Sequence, residues 1–173
     1  MNLSKIVLLA TFSFSFMLAN AEEAECKVRI PHVAGFSATW NGGCQNGYAH
    51  GQGSGKLYKN GRLIGEYNGM AQNGRPNGHG SALYVDKGAR YEGNWVNGYP
   101  NGQGVKTWKT GDRYQGTFKD GERTGQGVYT WANGSRYEGQ FVNGKLQGQG
   151  TFIPKKGTPQ RGIWKENRLV NAN

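Results

Sequence analysis

The side chains of this sequence best able to do chemistry are two cysteines, three histidines and a recurring set of glutamates and arginines. Cys26 and Cys44 are the only cysteines. They form no C-x-x-C, so in an oxidising compartment they are expected to pair as a structural disulfide rather than a redox couple. Closing a loop of about 18 residues is worth roughly 3 kcal/mol by chain entropy. The histidines His32, His50 and His79 have no H-x-x-x-H or Cys/His spacing, and no metal site is expected from them. Gly139 to Lys145 spells G-x-x-x-x-G-K, but Leu146 stands where a phosphate loop needs Ser or Thr, and no helix is expected after it. The Gly-x-Gly pairs lack the third glycine and the strand-to-helix context of a dinucleotide fingerprint. No catalytic residue and no cofactor is expected, and the chain reads as a non-enzyme.

What must position these residues is a repeat. Tyr91, Gly93, Trp95, Gly98, Gly102 and Gly104 recur 23 residues on as Tyr114, Gly116, Phe118, Gly121, Gly125 and Gly127. They recur again as Tyr137, Gly139, Phe141, Gly144, Gly148 and Gly150. Upstream, Tyr67, Gly69, Ala71, Gly74, Gly78 and Gly80 keep the same internal spacing, as do Trp40, Gly42, Cys44, Gly47, Gly51 and Gly53. Gly162 and Trp164 open a sixth copy, expected to break off at Asn167, where the turn glycine is replaced. Thirty glycines beside twenty-one aromatics are therefore positional, unlike the glycines of an aromatic-poor linker.

Each unit reads as a β-hairpin. Tyr91, Gly93 and Trp95 alternate with Arg90, Glu92 and Asn94, so the two sets occupy opposite faces of a strand. Asn97-Gly98, Asp120-Gly121 and Asn143-Gly144 are turn dipeptides that tolerate positive φ. After the bend of the Gly-Gln-Gly triplet, the second strand is expected over Val105 to Thr110, and in the next unit over Val128 to Ala132. Gly88, Gly111 and Gly134 mark the turn into the following unit. Two turns in 23 residues leave no room for a helix. The fold class is all-β: an elongated single-layer antiparallel sheet of tandem hairpins.

A glycine between two aromatics leaves a slot over which a neighbouring repeat's ring is expected to lie. The column Trp40, Tyr67, Tyr91, Trp95, Tyr114, Phe118, Tyr137, Phe141 and Trp164 then forms an aromatic ladder that serves as core. Tyr84, Trp108 and Trp131 on the second strands form a further column. On the opposite face Glu92 and Glu138 accompany Arg90, Arg113 and Arg136. This is either a solvated charge ladder, worth about 1 kcal/mol or less per pair, or a candidate anion-binding row. Cys44 occupies the aromatic slot of the first repeat, and its bond to Cys26 is expected to draw the chain across the exposed first strand, protecting a sheet edge. His50 and His79 fall on positions held by Asn or Gln in other units.

The pattern Tyr-x-Gly-x-aromatic-x-x-Gly followed by Gly-x-Gly, from Trp40 to Trp164, resembles the MORN (membrane occupation and recognition nexus) repeat family. The early units depart from it: Trp40 replaces Tyr, Cys44 and Ala71 replace the second aromatic, and the spacing stretches to 27 and then 24 residues. The resemblance implies an extended hairpin sheet acting as a protein-interaction or lipid-associated platform that often dimerises, without catalysis.

The domain organisation expected is a cleaved signal peptide over 1–21, a capping segment over 22–39, five repeats over 40–153 starting near 40, 67, 91, 114 and 137, and a partial sixth repeat with a basic cap over 154–173. The signal rests on Lys5, the apolar stretch Ile6 to Leu18 and Ala19-Asn20-Ala21. It predicts an exported protein, periplasmic in the first instance, with secretion as the alternative. The net charge of +10 is densest after Val142. In that setting it points to anionic lipid or lipopolysaccharide sooner than nucleic acid, through Lys145, Lys155, Lys156, Arg161, Lys165 and Arg168. The leading expectation is a scaffold for a protein partner or a second copy of itself, the homodimer using exposed aromatic faces or an unpaired strand of the unfinished sixth hairpin. Anionic lipid is the second reading, and a glycan bound by exposed rings the third.

Overall fold

The computed structural model describes residues 26–30 and 34–172; the expected signal peptide and the acidic residues that follow it lie outside this range. Among the described residues twelve strands form one antiparallel sheet in strict chain order. They are β1 (Phe36–Gln45), β2 (Tyr48–Lys59), β3 (Arg62–Gln72), β4 (Arg75–Tyr84), β5 (Ala89–Val96), β6 (Tyr99–Thr107), β7 (Arg113–Lys119), β8 (Glu122–Thr130), β9 (Arg136–Val142), β10 (Lys145–Ile153), β11 (Gln160–Lys165) and β12 (Arg168–Ala172). No helix occurs among the described residues.

The second strands both begin and end earlier than expected: β6 runs from Tyr99 to Thr107 and β8 from Glu122 to Thr130, so Trp108 and Trp131 lie just past their strands, at the turn into the next unit. The Gly-Gln-Gly triplet lies inside the strand as a bulge. Gly93 pairs with Gly104 and Trp95 with Pro100, so β6 spends two more residues than β5 over the same stretch. The same excess recurs at Gly69/Ala71 and at Leu146/Gly150. An unequal count bends a hairpin. Each unit accordingly folds back over one face: Arg123, near the Asp120-Gly121 turn, places its guanidinium 4.9 Å from the Tyr129 ring and 5.7 Å from Trp108, both near the far end of their hairpins. That face is concave and holds the core.

At the near end the turns form a rim. Asn97 and Gly98 take φ of 50° and 90°, the paired positive values of a two-residue hairpin turn. Each rim glycine donates its N–H to the preceding rim: Gly74 to Ala49 O, Gly98 to Pro76 O, Gly121 to Pro100 O and Gly144 to Arg123 O, at 2.8–2.9 Å. The sixth hairpin is complete. Glu166 and Asn167 take φ of 50° and 68° without a glycine, Asn167 N joins the rim through Leu146 O, and β12 pairs with β11. Asn tolerates this backbone region, which is why the repeat does not break off there and no unfinished strand is left.

The disulfide Cys26–Cys44 is present, with Cα atoms 5.6 Å apart. It does not draw the chain across β1. Cys44 lies two residues before the Asn46-Gly47 turn, so the bond brings Cys26 to the rim. There Lys27 N donates to Gly47 O, Ala49 N to Lys27 O and Arg29 N to Gly74 O, with the Arg29 guanidinium 4.3 Å over Tyr48. The segment stands in for a preceding rim turn, and the outer edge of β1 pairs with no strand among the described residues.

Candidate functional site

β5 reads buried and exposed in strict alternation from Ala89 to Val96, which separates a ring face from a polar face. On the ring face Tyr91, Tyr114 and Tyr137 are fully buried, and Trp95, Phe118, Phe141 and Trp164 nearly so. The rings meet edge to face in an unbroken zigzag. Tyr67 to Trp95 is 5.4 Å, Trp95 to Tyr91 5.1 Å, Tyr91 to Phe118 5.0 Å and Phe118 to Tyr114 5.1 Å; it continues through Phe141 and Tyr137 to Trp164. Such pairs add about 0.5–1.5 kcal/mol each beyond their burial. Trp40 stands outside the zigzag, because Ala71 offers no ring to bridge it to Tyr67.

The glycine slot is filled by the unit's own tyrosine, not by a neighbour's ring. A Cβ on Gly93 would sit 2.7 Å from Tyr91 Oη, and one on Gly104 would strike the same ring. The phenol explains why tyrosine rather than phenylalanine holds this place. Tyr91 Oη donates to Asn94 O at 2.9 Å, Tyr67 Oη to Met70 O at 2.7 Å, Tyr114 Oη to Thr117 O at 3.1 Å and Tyr137 Oη to Gln140 O at 3.3 Å. These carbonyls fall where the bulge interrupts the ladder. Trp40 makes the equivalent bond with Nε1 to Gly43 O, so the first unit keeps the device with a different donor. Burial pushes the phenols of Tyr67, Tyr91, Tyr114 and Tyr137 up to about 12, with Tyr84 adding to the shift at Tyr91.

Outside this ladder runs the second column, only partly buried. It includes Tyr84, Trp108, Tyr129, Trp131 and Phe152, with Trp108–Tyr129 at 5.6 Å, Tyr129–Trp131 at 4.8 Å and Trp131–Phe152 at 5.5 Å. Tyr129 and Phe152 belong to it although only Tyr84, Trp108 and Trp131 were expected. Among the described residues no second layer covers this strip.

Two cations interrupt the strip, and neither is among the residues expected at a site. Lys106 is half-buried between rings, its Nζ 5.4 Å from the Tyr84 centroid and 5.4 Å from that of Trp108. Desolvation, then Lys87 and Arg123, push its pKa below the ordinary lysine value. Arg123 lies over Tyr129, Trp108, Tyr114 and Phe141 and donates to Gly144 O at 2.6 Å. Their signal was present as a break in register. Lys106 holds the place of Ala82, Tyr129 and Phe152, and Arg123 that of Pro76, Pro100 and Leu146.

The polar face carries Arg90, Arg113 and Arg136, all exposed, one per unit. Arg136 Nε meets Glu138 Oε1 at 2.7 Å, and Arg113 Nη2 meets Gln115 Oε1 at 2.9 Å, so two of the three are engaged along their own strands. A groove of about 710 Å³ follows the Gly-x-Gly line on this face, lined by Gln103, Gln126 and Gln149 and, across from them, Gln115, Glu138 and Arg161. The C-terminal cations do not gather into one patch. Lys155 and Lys156 are exposed in the β10–β11 connection, whereas Lys165 pairs with Arg168 in register at the other end of the last hairpin. Lys145 forms an ion pair with Glu166, and Arg161 Nε reaches Thr151 Oγ1 at 3.3 Å. No three of His, Cys, Asp and Glu converge as a metal site among the described residues.

The model of the MORN repeat matches residues 67–88, 91–113, 114–136 and 137–158, just over half of the chain. No curated protein matches it. The hairpin at Trp40 lies outside the matched repeats yet keeps their bend, bond and rim.

Proposed function

The chain belongs to the MORN repeat family, and from that premise we propose that it is a non-enzymatic, exported scaffold that binds a protein partner at the cell envelope through its concave ring strip. Repeats of this family are consistent with a scaffold for protein or membrane interaction. The observation that carries the protein reading is the partly buried column Tyr84, Trp108, Tyr129, Trp131 and Phe152. These rings lie in a single-layer sheet, on a curved face where a partner's apolar surface would complete their burial. Export is supported by the basic, apolar and A-x-A pattern of residues 1–21 together with the disulfide, and the periplasm is the compartment this favours.

A second reading keeps the exposed cations Lys155, Lys156, Lys165 and Arg168 as contacts for anionic lipid or lipopolysaccharide. Their division between two ends of the last hairpin makes them separate contacts rather than one pocket. A second copy of the chain would have to use the ring strip or the outer edges of β1 and β12. A glycan would have to use the second column, since the ladder rings from Tyr91 to Trp164 are buried.

A photo-crosslinking residue at Trp131, compared with one at Gln126 on the polar face, tests the protein reading in the cells of origin. A discrete protein adduct from Trp131 and none from Gln126 supports it. Equal adducts from both faces, or adducts with lipid alone, overturn it. Co-sedimentation of residues 22–173 with anionic vesicles at physiological salt, lost on neutralising Lys155, Lys156, Lys165 and Arg168, would establish the lipid reading instead.

A further inference from the structure

Where β5 to β8 fold over the concave face, two ends of the sheet that are distant along the strands enclose a cleft of about 310 Å³. Tyr84, Lys87, Ala89, Lys106 and Trp108 line it from one end, and Gly98, Tyr99, Pro100 and Gly121 from the rim. This volume is at the lower bound for small-molecule sites. The walls are flat and apolar: the rings of Tyr84 and Trp108, the Pro100 ring and the Ala89 methyl.

The charge within this apolar site is of one sign. Lys106 and Lys87 line the cleft, and Arg123 stands over the shared Trp108 ring. The ion pairs among the described residues are Arg136–Glu138 and Lys145–Glu166, so none of these three cations has a carboxylate within ion-pair distance there. Asp112, the acid that meets the neighbouring ring, is committed elsewhere: Oδ2 accepts from Tyr129 Oη at 2.9 Å and Oδ1 from Ala132 N at 2.9 Å. Cations gathered in a half-buried ring site repel one another, and Lys106 shows it in a pKa held down by burial and then by Lys87 and Arg123. Equivalent units put an uncharged Ala82, Tyr129 or Phe152 in the same place. The sheet therefore does not need a lysine there.

We propose that this cleft is a ligand site for a single carboxylate carried on a flat apolar body, with Lys106 as the charge partner and the Tyr84 and Trp108 rings as the walls. The carboxylate supplies the missing negative charge, and the flat body displaces water from ring faces already turned inward. A bulkier, multiply charged headgroup would leave these apolar walls unmatched. The site goes beyond the scaffold reading and stands without it, because the carboxylate can arrive on a free small acid or at the end of a partner's chain.

The test is titration of the mature chain, followed by NMR at the Trp108 indole N–H. Indole-3-acetate is compared with its uncharged isostere indole-3-acetamide, and N-acetyltryptophan with N-acetyltryptophanamide. Each acid is expected to bind about tenfold more tightly than its amide, or better, a difference of about 1.4 kcal/mol. Lys106→Met is expected to abolish that preference, and Lys106→Arg to retain it. If Lys106→Met fails to fold, Lys87→Met serves as the second variant, expected to reduce the preference. Binding by indole-3-acetate alone restricts the site to a free small acid; binding by N-acetyltryptophan as well shows that a chain-end carboxylate also fits. Equal binding of acid and amide, no shift at millimolar concentration, or an acid preference that survives Lys106→Met in a folded protein overturns the proposal.

Discussion

Replacing Gly127 by alanine tests whether the tyrosine-in-slot arrangement holds the sheet together. A Cβ there would lie 2.5 Å from Cε2 and Oη of Tyr114 and 2.6 Å from Cζ. The ring has nowhere to go: it is fully buried, with Phe118 at 5.1 Å and Phe141 at 4.9 Å. Overpacking of this kind costs about 1–3 kcal/mol. Displacing the phenol also strains its bond to Thr117 O, worth about 1 kcal/mol. Gly127→Ala should therefore destabilise by about 2–4 kcal/mol, lowering Tm by about 4–16 °C for a chain of this size. Gly65→Ala is the matched control, since its Cβ would meet nothing closer than Leu83 O at 3.6 Å. It should leave Tm unchanged or raise it through the less flexible unfolded chain, by up to about 1 kcal/mol. Calorimetry of both variants, and of Gly127→Ala in a Tyr114→Ala background, decides the matter. With the ring removed, the Gly127 substitution should cost less, by a coupling of about 0.5–3 kcal/mol. Additive losses in the double variant, or equal Tm shifts for Gly127→Ala and Gly65→Ala, would refute the clash.

Other outcomes follow from the same geometry. Tyr91→Phe keeps the ring but removes the 2.9 Å bond to Asn94 O, and urea denaturation should register a loss of about 1 kcal/mol. Reducing Cys26–Cys44 should remove up to roughly 3 kcal/mol. Hydrogen exchange should then accelerate first at the amides of Lys27, Ala49 and Arg29, which tie the N-terminal segment to the rim. Tyr67, Tyr91, Tyr114, Tyr129 and Tyr137 have phenols raised to about 12, chiefly by burial, against about 10 unfolded. Protons bound only by the folded state make this stability fully present below pH 10 and lost as pH rises from there through 12. The phenolate absorbance of these five rings, assigned with Tyr→Phe variants, should accordingly rise in a step that coincides with loss of the sheet signal in circular dichroism; independent titration of these rings before unfolding would contradict it.

The repeat register made the strand faces, the rim turns and most of the ladder readable from Tyr91, Gly93 and Trp95 alone, because alternation and turn chemistry are local. The bulge reads as a boundary in sequence because Gly-Gln-Gly looks like a turn; only pairing shows that Gly104 returns to Gly93 across two extra residues. The path of the N-terminal segment depended on which carbonyls the rim leaves free, and spacing between cysteines does not carry that. Asn167 reads as the end of a hairpin, although it closes one, since a turn without glycine has a weaker signature. Lys106 and Arg123 were legible in principle as departures from their repeat columns. Reading them needed the bend, which brings a rim residue over a ring from the opposite end.

The rim also imposes an asymmetry on how this chain tolerates change in length. From each leading ring to the rim position is seven residues in every unit: Trp40 to Gly47, Tyr67 to Gly74, Tyr91 to Gly98, Tyr114 to Gly121 and Tyr137 to Gly144. All the variation falls at the opposite end, where β2 and β3 run long to the Asn60-Gly61 turn and the β10–β11 connection carries Pro154 and Pro159. A residue inserted at Asn97-Gly98 would throw two backbone bonds out of step at once, one to each adjoining turn. The same residue inserted beyond Lys155 would meet no such constraint. One margin of the molecule acts as a ruler, and the other is where the sequence is free to acquire new loops.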